Sequence, residues 1–146
     1  MGSKRVNQAV ACFRDDFSCS QAVFSTYAEH LGMDRQLALK VSCAFGGGMA
    51  RMGETCGAVT GAFMVIGLKH GKVRTDDDDA RTKTYALVRE FVDRFRAKHS
   101  TIVCRDLLGC DIGTTEGKQE YDEKGYGETR CVKFVEDAVT ILEEIV

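Results

Sequence analysis

Apolar positions recur along this chain at helical spacing, and they divide it into a succession of predicted helices. Val6, Ala9, Val10 and Phe13 share one face of a helix over 3–14. Phe17-Ser18 interrupts the pattern. Ser18, followed three residues later by Gln21, has the form of a capping box and opens a second helix over 19–31. Its inward face is Ala22, Val23, Tyr27 and Leu31, and Gly32 suits the position just past its end. Asp34 caps a third helix over 35–45 carrying Leu37, Ala38, Val41 and Phe45, which Gly46-Gly47-Gly48 terminates. The uncharged run 55–68 makes a fourth helix over 55–69, closing at Gly71. A long helix follows over 77–98, with Tyr85, Val88, Phe91, Val92 and Phe95 as its stripe. Ile102, Val103, Leu107 and Leu108 mark a short helix over 101–108 that ends at Gly109. Residues 111–128 are polar and glycine-rich and read as an irregular loop. Thr129 caps a last helix over 130–145, with Val132, Val135, Ala138, Val139 and Leu142 inward.

No segment alternates with a period of two. The pattern therefore predicts an all-α fold: one helical domain over 1–146, a bundle of six or seven helices around a buried central helix at about 55–69. A helix apolar on every face belongs in the middle of such a bundle. Gly53, Gly57 and Gly61 recur every four residues and make a smooth ridge. The plainer reading is close packing of a neighbouring helix. If the ridge instead faces a cofactor, Gly57 and Gly61 are the contacts.

Composition narrows the partners. The chain is 44% hydrophobic, with net charge -2 and a pI of about 5.9, which argues against nucleic acid as the main partner. The fourteen residues of 55–68 are too few to span a bilayer. The start, Met1-Gly2-Ser3-Lys4-Arg5, runs directly into amphipathic sequence without the pattern of a signal peptide, so a soluble, cytoplasmic protein is expected. Asp76 to Asp79 lack the spacing of a calcium loop and suit a helix N-terminus. No Gly-Lys-Ser/Thr follows the three glycines at 46–48, so they do not read as a phosphate loop.

The seven cysteines carry the candidate chemistry. The number is odd, so at least one thiol has no partner within the chain. Cys12 and Cys43 read as small buried hydrophobes. Cys19, Cys56, Cys104 and Cys131 each fall at a predicted helix start, where free backbone N–H groups favour a thiolate. No Cys-x-x-Cys pair is present, so neither a thioredoxin-like dithiol nor a zinc knuckle is written locally. The four can meet only through the tertiary fold. Once together, they suit an iron–sulfur cluster, zinc, or two switchable disulfides. Arg51 and Glu54 flank Cys56, Arg105 adjoins Cys104, and Arg130 adjoins Cys131. His30, His70 and His99 lie near helix C-termini and read as capping groups.

With the cysteines placed, the chain resembles a bacterial and archaeal family that carries a C-GCAxxG-C-C signature and is described as redox-active. The matching residues are Cys19 in Phe17-Ser18-Cys19-Ser20-Gln21-Ala22, the element Gly53-Glu54-Thr55-Cys56-Gly57-Ala58-Val59-Thr60-Gly61, Cys104 in Cys104-Arg105-Asp106-Leu107-Leu108-Gly109, and Cys131 after Arg130. The resemblance implies a redox role for Cys19, Cys56, Cys104 and Cys131. Similar domains occur joined to multihaem electron-transfer proteins, where an iron–sulfur cluster has been suggested. Two mechanisms follow: thiol–disulfide exchange with a redox partner protein, or electron transfer through a metal or iron–sulfur centre held by the four thiolates. In the first, Cys56 is the expected attacking thiolate, because the glycine ridge leaves room for a partner, and Cys19, Cys104 or Cys131 resolves it. The rival is a non-catalytic protein that holds zinc on the same four thiolates. A helical interaction module with buried thiols is the third reading. A dimer is compatible with all three.

Overall fold

The computed structural model describes residues 3–146; Met1 and Gly2, part of the start on which the signal-peptide reading rests, lie outside them. The described chain forms eight α-helices: α1 (Lys4–Arg14), α2 (Cys19–Ala28), α3 (Arg35–Cys43), α4 (Gly57–His70), α5 (Asp78–His99), α6 (Cys104–Leu108), α7 (Thr115–Lys124) and α8 (Val132–Ile145). A π-helical turn, Gly127–Cys131, leads into α8. No strand forms among the described residues; an isolated antiparallel bridge joins Thr55 to Val103. No helix among them is long and apolar enough to cross a membrane.

Local sequence explains most boundaries. Ser18 Oγ accepts the Gln21 N–H while the Gln21 side chain accepts the Ser18 N–H, closing the expected capping box on α2. Asp34 and Asp77 cap α3 and α5 through the N–H groups of Leu37 and Ala80. Gly109 ends α6 at φ 74°, a left-handed conformation that favours glycine.

The core forms where α2, α4 and α8 meet, with α1 and α5 packed outside. Val59, Ala62, Val65 and Ile66 of α4 are fully buried, as are Val135, Val139, Ile141 and Leu142 of α8. The glycine ridge is used for helix packing: a Cβ on Gly61 would lie 2.9 Å from the Ser20 carbonyl oxygen and 3.2 Å from the Val23 Cβ. Gly61 thus allows α2 and α4 to approach backbone to backbone. Asp137 is a core carboxylate, 5% exposed. It meets His99 Nε2 at 2.7 Å and Lys133 Nζ at 3.0 Å, with Lys98 Nζ at 3.9 Å. His99 therefore serves a buried acid from another helix instead of capping its own.

Several sequence expectations need correction. Residues 111–128 are not an irregular loop, because Thr114 caps the ten-residue α7 through the Gly117 N–H. Its polar composition hid it: only Gly117 is buried, so no apolar stripe was needed. Thr129 does not cap the last helix, since it lies inside the π-helical turn, where its hydroxyl donates to the Gly125 carbonyl. On α3 the inward face is Ala38 and Ser42, leaving Leu37 and Val41 about half exposed. Tyr85 is 61% exposed, because the first half of α5 runs out beyond the core.

Two of the three glycines of α4, Gly61 and Gly67, predict opposite effects. Gly61→Ala should destabilise the fold by about 1–3 kcal/mol through overpacking. Gly67, with nothing within 4 Å of a Cβ, should gain about 0.5–1 kcal/mol as alanine. Chemical denaturation of both variants checks the contrast; equal effects would contradict the packing assignment.

Candidate functional site

The four candidate cysteines come to one region from four separate elements. Cys19 is the first residue of α2, Cys56 the N-cap of α4, Cys104 the first residue of α6, and Cys131 the end of the π-helical turn. All four line one cavity of about 680 Å³. Cys56 and Cys104 are buried, and Cys19 and Cys131 are partly exposed. A larger, shallower hollow of about 1080 Å³ between α1 and α2 contains Cys12 but none of the four.

The connection from α3 to α4 builds this site. Gly47, Gly48, Met49, Ala50 and Arg51 all have positive φ, between 51° and 71°. Left-handed backbone costs a non-glycine residue about 1–2 kcal/mol, and three of these five are not glycine. The turn is held by hydrogen bonds from the Ala50 N–H to the Ala44 carbonyl at 2.8 Å and from the Glu54 N–H to the Gly48 carbonyl at 2.9 Å. Each of the three glycines lets it close tightly on a neighbour around the site. A Cβ on Gly46 would lie 2.6 Å from the Ser18 Cβ. Gly47 donates its N–H to the Cys19 sulfur. A Cβ on Gly48 would lie 2.7 Å from the Cys104 Cβ and 2.6 Å from the Glu54 nitrogen. Gly57 faces the Cys19 Sγ so closely that a Cβ would collide with it.

A short backbone ladder fixes Cys56 relative to Cys104. The Cys56 N–H donates to the Ile102 carbonyl at 2.7 Å, and the Cys104 N–H donates to the Glu54 carbonyl at 2.6 Å. These bonds bracket the Thr55–Val103 bridge. Arg105 packs on Gly53 and reaches Glu54 at 3.7 Å, so the flanking charges pair with each other.

The four thiols are electrostatically unequal. Cys19 is lowered to about 7, chiefly because the Cys56 S–H donates to it; burial opposes this, and the N–H groups of Gly47, Ser20 and Cys19 itself add to it. Cys56 is held well above the ordinary thiol value because it is the donor in that bond and is buried beside a thiolate. Burial, then the proximity of Cys19 and the other thiols, raises Cys104 to about 12. Cys131 is likewise raised to about 12 by burial, then by Cys19, against the hydrogen bond from Tyr121. Tyr121 donates its hydroxyl to the Cys131 Sγ at 3.6 Å. Cys19 and Cys56 thus form a neighbouring pair of one lowered and one raised thiol.

Cys43 is exposed, contrary to the expectation of a buried hydrophobe, and also lines the cavity of the four thiols. Cys12 lies apart, partly buried, with its sulfur 3.8 Å from Ser25 Oγ. Arg130 donates to the Leu108 carbonyl and covers Tyr126 at 3.8 Å, and its charge acts on Cys131 without a hydrogen bond to it. Tyr121 and the left-handed turn escaped sequence reasoning. Tyr121 lay in a stretch read as loop, and the three glycines signalled a turn without its hand or its neighbours. Among the described residues, no group of three or more His, Cys, Asp or Glu side chains is placed to hold a metal ion.

Comparison with known proteins places the chain. A family described as "Putative redox-active protein (C_GCAxxG_C_C)" matches residues 17–145, and the chain belongs to that family. No curated protein and no solved structure matches it.

The electrostatic inequality predicts a pH profile. The folded value of Cys19 is depressed, so its thiolate fraction rises through pH 7 and saturates above it. Iodoacetamide labelling of Cys19 should follow that curve. In Cys56→Ala the S–H donor is gone, the midpoint should move upward, and labelling at pH 7 should slow by about threefold to tenfold. An unchanged midpoint would show that Cys56 does not set the reactivity of Cys19.

Proposed function

We propose that the protein is a thiol–disulfide exchange protein in which Cys19 attacks and Cys56 resolves. The observation that carries this reading is the joint placement of Cys19 and Cys56 on one cavity, with Cys56 buried and Cys19 partly open to it; each thiol perturbs the other, lowering Cys19 and raising Cys56. The roles differ from the sequence expectation, which gave the attack to Cys56. Cys56 is 4% exposed and holds its proton, whereas Cys19 is partly open to the cavity.

The Cys19 thiolate attacks one sulfur of a disulfide R–S–S–R. A Cys19–S–R bond forms, and the first R–S⁻ leaves. Cys56 then loses its proton and attacks the Cys19 sulfur, forming the Cys19–Cys56 disulfide. The second R–S⁻ departs with that proton. The protein gives up two electrons and the disulfide is reduced to one thiol and one thiolate. Cys104 and Cys131 serve as a reserve dithiol, whose oxidation to a disulfide would return Cys19 and Cys56 to the thiol state. A reducing, cytoplasmic setting would keep all seven thiols free between cycles.

The lack of a three-ligand group among the described residues supports exchange over a zinc or iron–sulfur centre on Cys19, Cys56, Cys104 and Cys131. The packing of Gly61 on α2 supports a structural use of the glycine ridge over a cofactor contact at Gly57 and Gly61.

The test is anaerobic purification followed by equilibration in dithiothreitol redox buffers, with disulfides mapped by peptide mass. A two-electron transition that yields the Cys19–Cys56 disulfide is expected. It should vanish in Cys19→Ser and Cys56→Ser and persist in Cys12→Ala. Stoichiometric zinc or iron, lost from the Cys19 and Cys56 variants, would contradict exchange and favour the metal reading.

A further inference from the structure

The reactive pair is recessed. Cys56 is buried, and Cys19 is reached through the cavity of about 680 Å³. That volume is within the range of small-molecule sites. Phe13, Phe17, Leu107, Ile112 and Phe134 supply apolar wall.

Six charged side chains also line the cavity, and four of them are paired. Arg14 meets Glu128 at 2.5 Å, and Lys118 meets Asp122 at 2.6 Å. The other two, Arg51 and Asp16, make no ion pair with another described residue. They carry opposite charges and come from separate segments of the cavity wall. Asp16 follows α1 at the approach to Cys19. Arg51 closes the left-handed turn, and its side chain packs on Gly47, whose N–H donates to the Cys19 sulfur. Both residues have positive φ, 71° and 63°, so each unpaired charge is presented from a backbone position that side chains rarely occupy.

We propose that this cavity binds a small zwitterionic disulfide of the amino-acid class, with Arg51 taking the carboxylate and Asp16 the ammonium group. The proposal rests on the exchange reading of Cys19 and Cys56 and names its substrate. The Cys19 thiolate attacks one sulfur of the bound disulfide, releasing one amino-acid thiolate. Cys56 then resolves the mixed disulfide and releases the second amino-acid thiol with its own proton. The two electrons pass from the protein dithiol to the amino-acid disulfide.

Three small disulfides isolate the two charges. L-cystine carries both groups, cystamine lacks the carboxylates, and 3,3′-dithiodipropionate lacks the amines. Each second-order rate of oxidation of the full chain is divided by the rate of the same disulfide with free glutathione, which removes intrinsic reactivity. Normalised this way, L-cystine should exceed each of the others by about two- to fivefold, the size expected of one exposed ionic contact. Arg51→Gln should erase the preference over cystamine, and Asp16→Asn the preference over 3,3′-dithiodipropionate. Asparagine tolerates the left-handed backbone at 16, and both side chains are exposed. Equal normalised rates in the unmodified protein would overturn the proposal. So would faster oxidation by the disulfides of insulin, a protein substrate. If no small disulfide reacts while dithiothreitol buffers still cycle Cys19 and Cys56, the substrate assignment falls and exchange stands. If that pair cycles under no condition, both fall.

Discussion

The site depends on one constraint: the Cys19 sulfur must lie where both a backbone N–H and a neighbouring S–H can point at it. The N–H comes from Gly47, inside five consecutive left-handed residues. The S–H comes from Cys56, whose backbone is tied to Ile102. Neither group lies close to Cys19 in sequence. The approach of α2 to α4 brings them together, and Gly57 and Gly61 permit that approach because a Cβ at either would strike α2. The signature glycines and cysteines thus form one mechanical unit: the glycines set the distance between helices, and that distance sets the hydrogen bond between sulfurs.

Strain enters where the site needs it. Met49, Ala50 and Arg51 occupy backbone conformations that cost about 1–2 kcal/mol each. Glycine at all three positions would remove that cost. The turn has to close on Glu54 through the Gly48 carbonyl and still leave Cys104 against Gly48. Met49, Ala50 and Arg51 keep the side chains that glycine would lack, and Arg51 projects one of them along the cavity wall.

Much of the fold was legible in the sequence because it depends on local periodicity. The Ser18–Gln21 capping box, the apolar α4 and the stripe of α8 are patterns of neighbouring residues, and each appears where its pattern put it. Helix α7 was not legible, because it packs weakly and lacks an apolar face. The identities of the four clustered cysteines were legible from helix starts and from the family pattern. Their division of labour was not. A helix start lowers a thiol by well under one pKa unit at a surface. The difference between Cys19 and Cys56 comes instead from a contact between residues 37 positions apart and from the fold's burial of Cys56. Asp137 illustrates the same limit, since an acid on an apolar stripe shows no sign of the histidine on another helix that meets it.

The central claim is that Cys19, and not Cys56, Cys104 or Cys131, is substantially ionised at neutral pH. Protein labelled with ¹³C at the cysteine Cβ, titrated by NMR in the fully reduced state, reports each protonation separately. The account predicts a Cys19 resonance moving with a midpoint near pH 7, while Cys56, Cys104 and Cys131 stay still up to at least pH 9. A Cys19 resonance that moves only with the others, or a Cys56 resonance that moves first, would contradict it.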